Sequence, residues 1–430
     1  MTPLVVVLLV FVVLFLLRVP VAFVLIASSM IGILLAPNPI PLATVPTTMW
    51  QGINHFVLLA IPFFILMGDL ALVSGVTQRL VEVAKAFVGH ISGGLAHVAV
   101  ISNIIMAGMS GSDLADAAAT GKLLIPAMAR GGYPPGYAAA LIGGAAMIGP
   151  LVPPSIAFII FAAATDTSVG RLFLGGAVPG LLLGLFLMAQ AYVQARRQGF
   201  PREPRMPYRQ RVTATIVGLP VLIIPIVVLG SILGGIATPT EAAVVGVIAV
   251  GLVGGLLYRE LSLATFARQV LATTRTVGAV FLIIVGAAVF GRMLTLYGAA
   301  DSLAHWLTTL TSSPLVFLAI VNVLFLVLGC VLEVVPILLV LVPVMMPTVT
   351  ALGIDPIHFG VVTVFNLLIG LIMPPSGLTM YLLCRIADVT VQEFWRHMWP
   401  IFLTMLFALA LITIFPGLST WLPNALLAPE

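Results

Sequence analysis

Two stretches decide how this chain folds: "IGPLVPPS" at Ile148–Ser155 and "IGLIMPPS" at Ile369–Ser376. Each double proline stands in a run otherwise apolar enough for a membrane helix. Proline removes a backbone donor and pushes the preceding residue out of helical geometry, so each run is expected to form a discontinuous helix. Unpaired backbone in hydrocarbon is costly, and a break there persists only where protein, water or ligand satisfies it. The bland alternative is a kink, with Ser155 and Ser376 capping the helix that follows.

The rest of the chain supplies the membrane. Its 430 residues are 61% hydrophobic and 7% charged, with a mean hydropathy of +1.24. That composition indicates an all-α polytopic membrane protein, because no soluble core absorbs so much apolar surface. Apolar runs of roughly twenty residues without alternation exclude a barrel. The net charge of +4 is scattered among loops and implies no nucleic-acid partner. Cys330 and Cys384 both lie in apolar segments, so no disulfide framework is expected. The opening run "MTPLVVVLLVFVVLFLLR" is expected to be a retained helix, since no Lys or Arg precedes Arg18 and no small-residue cleavage site follows.

Apolar segments fall at 3–17, 19–36, 53–73, 95–129, 136–165, 174–194, 213–233, 241–257, 277–296, 314–349, 356–386 and 399–416. Those at 95–129 and 314–349 are too long for one plain span and are expected to be re-entrant hairpins. Alternating the remaining spans then places sixteen of the eighteen basic residues on one side, leaving Arg171 opposite and Arg292 within a span. The positive-inside rule makes that side cytoplasmic and both termini periplasmic.

The two halves echo one another. Gly68, Gly75 and Leu80 recur as Gly291, Gly298 and Leu303, and Asn103 recurs as Asn322. Asp116 and Pro126 match Glu333 and Pro343 at a shift of 217, while Pro135 and the first "PPS" match Pro356 and the second at 221. With the first hairpin opening to the cytoplasm and the second to the outside, the halves are expected to be inverted repeats. Amphipathic segments 76–92 and 299–312 precede the hairpins and read as interfacial arm helices.

Each half thus offers a hairpin tip, "AGMSGSDLAD" (107–116) or "LGCVLEVVP" (328–336), and one break. Freed carbonyls suit Na⁺, and bare helix N-termini suit a carboxylate. Ser110 and Ser112 are candidate cation ligands, because hydroxyls at a tip have few other partners. Asn103 and Asn322 fit either helix–helix hydrogen bonds or supports of a Na⁺ site. Asp113 and Asp116, as N-cap and N3 acids, and Glu333 are read as helix-cap or supporting acids. Asp69 and Arg292 read as structural, and Glu241 as a first-turn acid behind a Thr cap. No histidine spacing suggests a metal site.

The segments "MSGSDLADAAATGKLLIPAMARGGYPPGYAAAL", "IGPLVPPSIAFIIFA", "ATPTEAA" and "LGCVLE…LVPVMMP…LGIDPIHFGVV" resemble the large membrane subunit of tripartite ATP-independent periplasmic (TRAP) transporters, over essentially the whole chain. The resemblance implies a Na⁺-driven elevator in the bacterial inner membrane that imports organic acids such as C4-dicarboxylates or sialic acids. It implies two partners, a small four-helix membrane subunit and a periplasmic substrate-binding protein, and no organic cofactor. One Na⁺ site would fall around Ser110, Ser112 and Gly149, and another around Gly329, Cys330 and Met373. Substrate would lie between the tips, near Gly111, Pro153, Pro154, Ser155, Pro374, Pro375, Ser376 and Gly377. The family often has PP-V-G at the second break, so the hydroxyl of Ser376 is a departure. No further helices of a fused small subunit are seen, so that partner is expected as a separate polypeptide.

The expected organisation is a scaffold at 1–92, 171–313 and 396–430 and a transport domain at 93–170 and 314–395. Two other readings compete. One is a stand-alone Na⁺/carboxylate symporter with no binding protein. The other is an intramembrane serine protease, since "GMSG" (108–111) fits a GxSG pattern; it would need a histidine facing Ser110. An ATP-driven pump is disfavoured by the lack of a GxxxxGK[ST] loop.

Overall fold

A computed structural model describes residues 3–36, 41–299, 302 and 311–427, and among these every regular element is a helix. Helices α1 (Pro3–Leu16) and α2 (Val21–Leu34) form an antiparallel pair, with Val7 beside Gly32. A short helix unforeseen from the sequence, α3 (Thr44–Ile53), leads through a 3₁₀ turn to α4 (Ala60–Val73). The arm helix expected at 76–92 is present as α5 (Val76–Val88), whereas the one expected at 299–312 lies almost entirely outside the described residues.

The first half continues with α6 (Gly94–Ser110), α7 (Asp113–Arg130), α8 (Pro135–Ala146) and α9 (Ile156–Thr165). Helices α10 (Val169–Gln198), α11 (Tyr208–Leu233), α12 (Pro239–Leu252) and α13 (Leu263–Leu296) follow. The second half repeats the pattern with α14 (Pro314–Gly329), α15 (Val334–Ala351), α16 (Pro356–Leu371) and α17 (Leu378–Ala387). Helices α18 (Val391–Ile414) and α19 (Gly417–Leu426) close the chain. Seven helices among the described residues are long and apolar enough to cross a membrane. Hydroxyl and carboxylate caps start many of them: Ser168, Thr238, Ser262, Asp355 and Thr390 each accept from a backbone N–H of the following turn. Thr238 and Glu241 complete a capping box, the role expected of that glutamate.

Helix starts correct the repeat register. Helices α7 and α15 begin at 113 and 334, and α8 and α16 at 135 and 356, a constant shift of 221. The counterpart of Glu333 is therefore Ser112, not Asp116, and that of Pro126 is Pro347, not Pro343. Two residues separate α6 from α7 and four separate α14 from α15, which matches the step from a shift of 219 at Asn103 and Asn322 to 221 beyond the tips.

Both breaks are real interruptions. Helix α8 stops at Ala146 and α9 starts at Ile156, while α16 stops at Leu371 and α17 starts at Leu378. Neither α9 nor α17, at ten residues each, spans ~30 Å of hydrocarbon alone. Each packs on the other half's hairpin instead, α9 on α15 and α17 on α7. This exchange interlocks the repeats and draws tips and breaks to one level. Around them α2, α3 and α4 pack on α13, α4 on α12, and α5 on α11.

Candidate functional site

Helix α6 ends at Ser110, and the chain reverses through Gly111 at φ +59°. A side chain at Gly111 would also strike the Pro154 carbonyl, so this glycine lets the first tip rest on the first break. Ser112 is extended and caps α7, accepting from Ala115 N at 3.4 Å. That corrects the expected cap: Asp113 is the first helical residue and Asp116 lies one turn inside. Thr379 at the start of α17 donates to Asp113 Oδ2 at 2.6 Å, tying the first tip to the second break.

Asp116 is fully buried. Its Oδ1 accepts from the Ser110 hydroxyl, and its Oδ2 has no hydrogen-bond partner. That lone oxygen lies against Gly149, where a Cβ would collide with it. Ser110, Asp116 and Gly149 therefore meet at one point, where α8 has just unwound. A buried carboxylate oxygen with no proton donor, beside unwound backbone, fits a small hard cation.

The second tip is built differently. Gly329 packs on Gly370, whose Cβ position lies 2.7 Å from the Gly329 backbone. The Cys330 carbonyl accepts twice from Ser376, at 2.7 Å from Oγ and 3.1 Å from N. Cys330 Sγ lies 3.6 Å from Met373 Sδ. Gly329, Cys330 and Met373 are thus gathered as expected, but the repeat partner of Asp116 is the apolar Ile337, so no buried acid stands here. Glu333 is the N-cap residue of α15 without making a side-chain cap bond.

Between these features lies a cavity of about 410 Å³. Its wall takes residues from both tips and both broken helices: Gly111–Leu114, Glu333–Val335, Pro150 with Ile156 and Ala157, and Leu378 with Thr379. Helix α13 closes one side with Thr276, Ala279, Val280 and Ile283. The first turns of α7, α9, α15 and α17 all border the space, and first-turn N–H groups lack intrahelical partners.

Of the expected substrate positions, Gly111 lines this cavity. Pro153, Pro154 and Ser155 are buried behind it, with Ser155 accepting from Phe158 N at 3.2 Å as a helix cap. Pro374, Pro375, Ser376 and Gly377 form the second break beside it, where Ser376 is spent on Cys330. Both asparagines make helix–helix bonds. Asn103 Nδ2 donates to Ala99 O at 2.8 Å and Thr120 Oγ1 at 3.3 Å. Asn322 receives both donors of Asn366, each at 2.8 Å, and donates to Thr413 at 3.0 Å. Asp69 accepts from Thr273 at 2.6 Å, a bond between α4 and α13. The sequence reading missed Thr276 and Thr379. Thr379 carried a signal, a hydroxyl in the first turn after a break; Thr276 carried none, being placed by the packing of α13. Ser110 bonds Asp116, and His358 bonds Ser419 Oγ at 2.8 Å instead, so among the described residues no histidine pairs with Ser110 as the protease reading requires.

Residues 8–418 match the family described as "Tripartite ATP-independent periplasmic transporter, DctM component". The sialic acid TRAP transporter large permease SiaM of Vibrio cholerae is 36% identical over 408 residues, covering 95% of each chain. The C4-dicarboxylate TRAP transporter large permease DctM of Pseudomonas aeruginosa is 38% identical over 387 residues, 90% of this chain and 91% of that one. Among solved structures, the YdaH transporter of Alcanivorax borkumensis superposes with a TM-score of 0.68 at 16% identity, over 96% of this chain and 99% of that chain. That likeness bears on the fold alone.

Proposed function

Because the chain belongs to the tripartite ATP-independent periplasmic transporter family as a large permease component, a multi-pass inner-membrane transporter rather than an enzyme, we propose that it imports an organic acid coupled to Na⁺. One observation carries this reading: two tips and two broken helices all border one cavity, close to a buried carboxylate with an oxygen that has no hydrogen-bond partner. Four helix N-termini around the cavity favour an anion. Asp116, the Ser110 hydroxyl and the unwound backbone at Gly149 favour a cation on its flank, and binding each ion eases the binding of the other. Sialic acids and C4-dicarboxylates, carried by the relatives named above, frame the substrate class.

In this reading residues 93–170 and 314–395 move as one body, supported by the exchange of α9 and α17 between the halves. Residues 1–92, 171–313 and 396–430 stay as the frame, with re-entrant hairpins and both termini periplasmic. A small membrane subunit and a periplasmic binding protein complete the system. Uptake into proteoliposomes holding the chain and both partners tests it. An inward Na⁺ gradient drives accumulation of the organic acid and an equal K⁺ gradient does not; uptake indifferent to Na⁺ refutes the coupling. Equal uptake by the chain alone favours the stand-alone symporter.

A further inference from the structure

A second cavity, of about 460 Å³, lies away from the tips and breaks, between the C-terminal turns of α10 and Pro400 of α18. Gln190, Gln194, Arg197 and Gln198 line it, at intervals that put all four on one face of α10. Arg197 makes no ion pair or hydrogen bond among the described residues. Both side-chain amide atoms of Gln190 are buried and have no hydrogen-bond partner. No bond holds that amide in place, so turning it toward a ligand in the cavity breaks none.

Depth decides what such a ligand is. At 30 residues, α10 is ~45 Å long, enough for the hydrocarbon and both interfacial zones. By the positive-inside rule, the basic run with arginines at 196, 197, 202, 205, 209 and 211 places this end in the cytoplasm. Gln198 then stands at the outer edge of the interfacial zone, and Gln190, ~12 Å deeper, near the hydrocarbon boundary. Trp399, exposed beside Pro400, marks that boundary. Under the cavity Phe186 and Phe407 meet with ring centroids 5.5 Å apart. Leu403 and Phe407, exposed on the Pro400 face of α18, continue toward the membrane centre. Polar groups above and an apolar track below match the two parts of a lipid. Charge selects its class: Glu203, the only acid in the run 196–211, is paired with Lys85 at 3.4 Å, which leaves the arginines as net positive charge.

We propose that this cavity binds the head of an anionic phospholipid from the cytoplasmic leaflet, with the phosphate on Arg197 and the ester carbonyls on the amides of Gln194 and Gln190. A guanidinium gives phosphate oxygens two parallel N–H donors, and an ester carbonyl supplies the acceptor that the Gln190 amide lacks. The site shares no residue with the cavity between the tips.

The test is thermal unfolding of the full chain in mild detergent, titrated with phosphatidylglycerol, phosphatidylcholine or inorganic phosphate. Phosphatidylglycerol is expected to raise the Tm of wild type at concentrations where the other two leave it unchanged. Arg197→Gln should need roughly tenfold or more phosphatidylglycerol for the same shift, the loss of one charge-assisted bond. Arg205→Gln, in the same run but outside the cavity, should keep most of the wild-type response. Gln190→Leu should melt at or above wild type without lipid, having lost an unpartnered amide, and gain less from phosphatidylglycerol. Equal losses in Arg197→Gln and Arg205→Gln reduce the site to diffuse surface charge and overturn it. A wild-type response to phosphatidylcholine or inorganic phosphate that matches the one to phosphatidylglycerol overturns it as well, as does no response to phosphatidylglycerol. Gln190→Leu carries the test if Arg197→Gln does not fold, and a full wild-type response there refutes the assignment. A response abolished by adding the small membrane subunit gives the cavity to that partner instead.

Discussion

Replacing Asp116 with Asn keeps the shape of the side chain and its acceptor for Ser110, removes the charge, and puts an NH₂ group where the partnerless oxygen stood. In Na⁺ the carboxylate and the ion attract one another by about 4 kcal/mol at ~4 Å and an effective dielectric constant of ~20. Desolvating both ions returns part of this. A net loss of about 1.4–3 kcal/mol would weaken Na⁺ binding roughly 10- to 150-fold. Without Na⁺ the sign reverses. Wild type then holds a fully buried carboxylate oxygen with no donor, and a neutral amide exchanges that uncompensated charge for the smaller cost of a buried NH₂ group. Thermal unfolding of the purified chain in NaCl and in KCl separates the two effects. Wild type should gain about 2.7 kcal/mol at a Na⁺ concentration 100 times its Kd. Asp116→Asn should lose most of that gain, yet melt at or above wild type in KCl. A variant that keeps the full Na⁺ response, or that melts well below wild type in KCl, refutes the placement of the cation.

Other perturbations separate architecture from coupling. Gly370→Ala places a methyl 2.7 Å from the Gly329 backbone, which cannot swing aside; a loss of about 1–3 kcal/mol is expected, read as a lower Tm. Asn322→Ala removes one of the two acceptors of the buried Asn366 amide, keeping the backbone carbonyl of residue 322, and should cost about 1–3 kcal/mol, while the difference between NaCl and KCl stays at its wild-type size. In a Cys384→Ser background, Cys330 at the second tip should change its rate of maleimide labelling when Na⁺ and substrate are added together; a constant rate on both faces of the membrane argues against movement of the tip.

Much of the architecture was legible because hydrocarbon leaves few choices. A proline pair inside a twenty-residue apolar run had to interrupt a helix, and the polar tips at Ser110–Asp113 and Cys330–Glu333 had to turn, as they do. Helix lengths were harder to read. Helix α13 runs 34 residues, beyond the apolar segment at 277–296, because Arg268 and Arg275 are good helix formers and interrupt only the hydropathy. Helix α3 escaped notice since "TVPTTMWQGI" has a proline and no long apolar run. The register of the repeat slipped at the tips, where an acid near a helix start in each half, Asp116 and Glu333, made a match that the helix starts do not support.

The candidate site was legible as a list of parts and not as an arrangement. Asp116 looked like any acid near a helix start, because a first-turn carboxylate and a cation ligand have the same sequence signature. What separates them is the neighbour on another element: Gly149, thirty-three positions away, leaves the space that the free oxygen fills. The same holds for Asp113, whose partner Thr379 belongs to the other half of the chain. Only Asp113 works across the interlock; Asp116, Ser110 and Gly149 all belong to the first half. A single half would keep the pocket at Asp116 and lose the hydroxyl that holds Asp113. The second half adds that hydroxyl and places Glu333 on the same cavity wall as Asp113. Changes that loosen α17 from α7 should therefore disturb the cavity at Asp113 while leaving the Na⁺ response at Asp116 closer to wild type, and thermal unfolding in NaCl and KCl reads the difference.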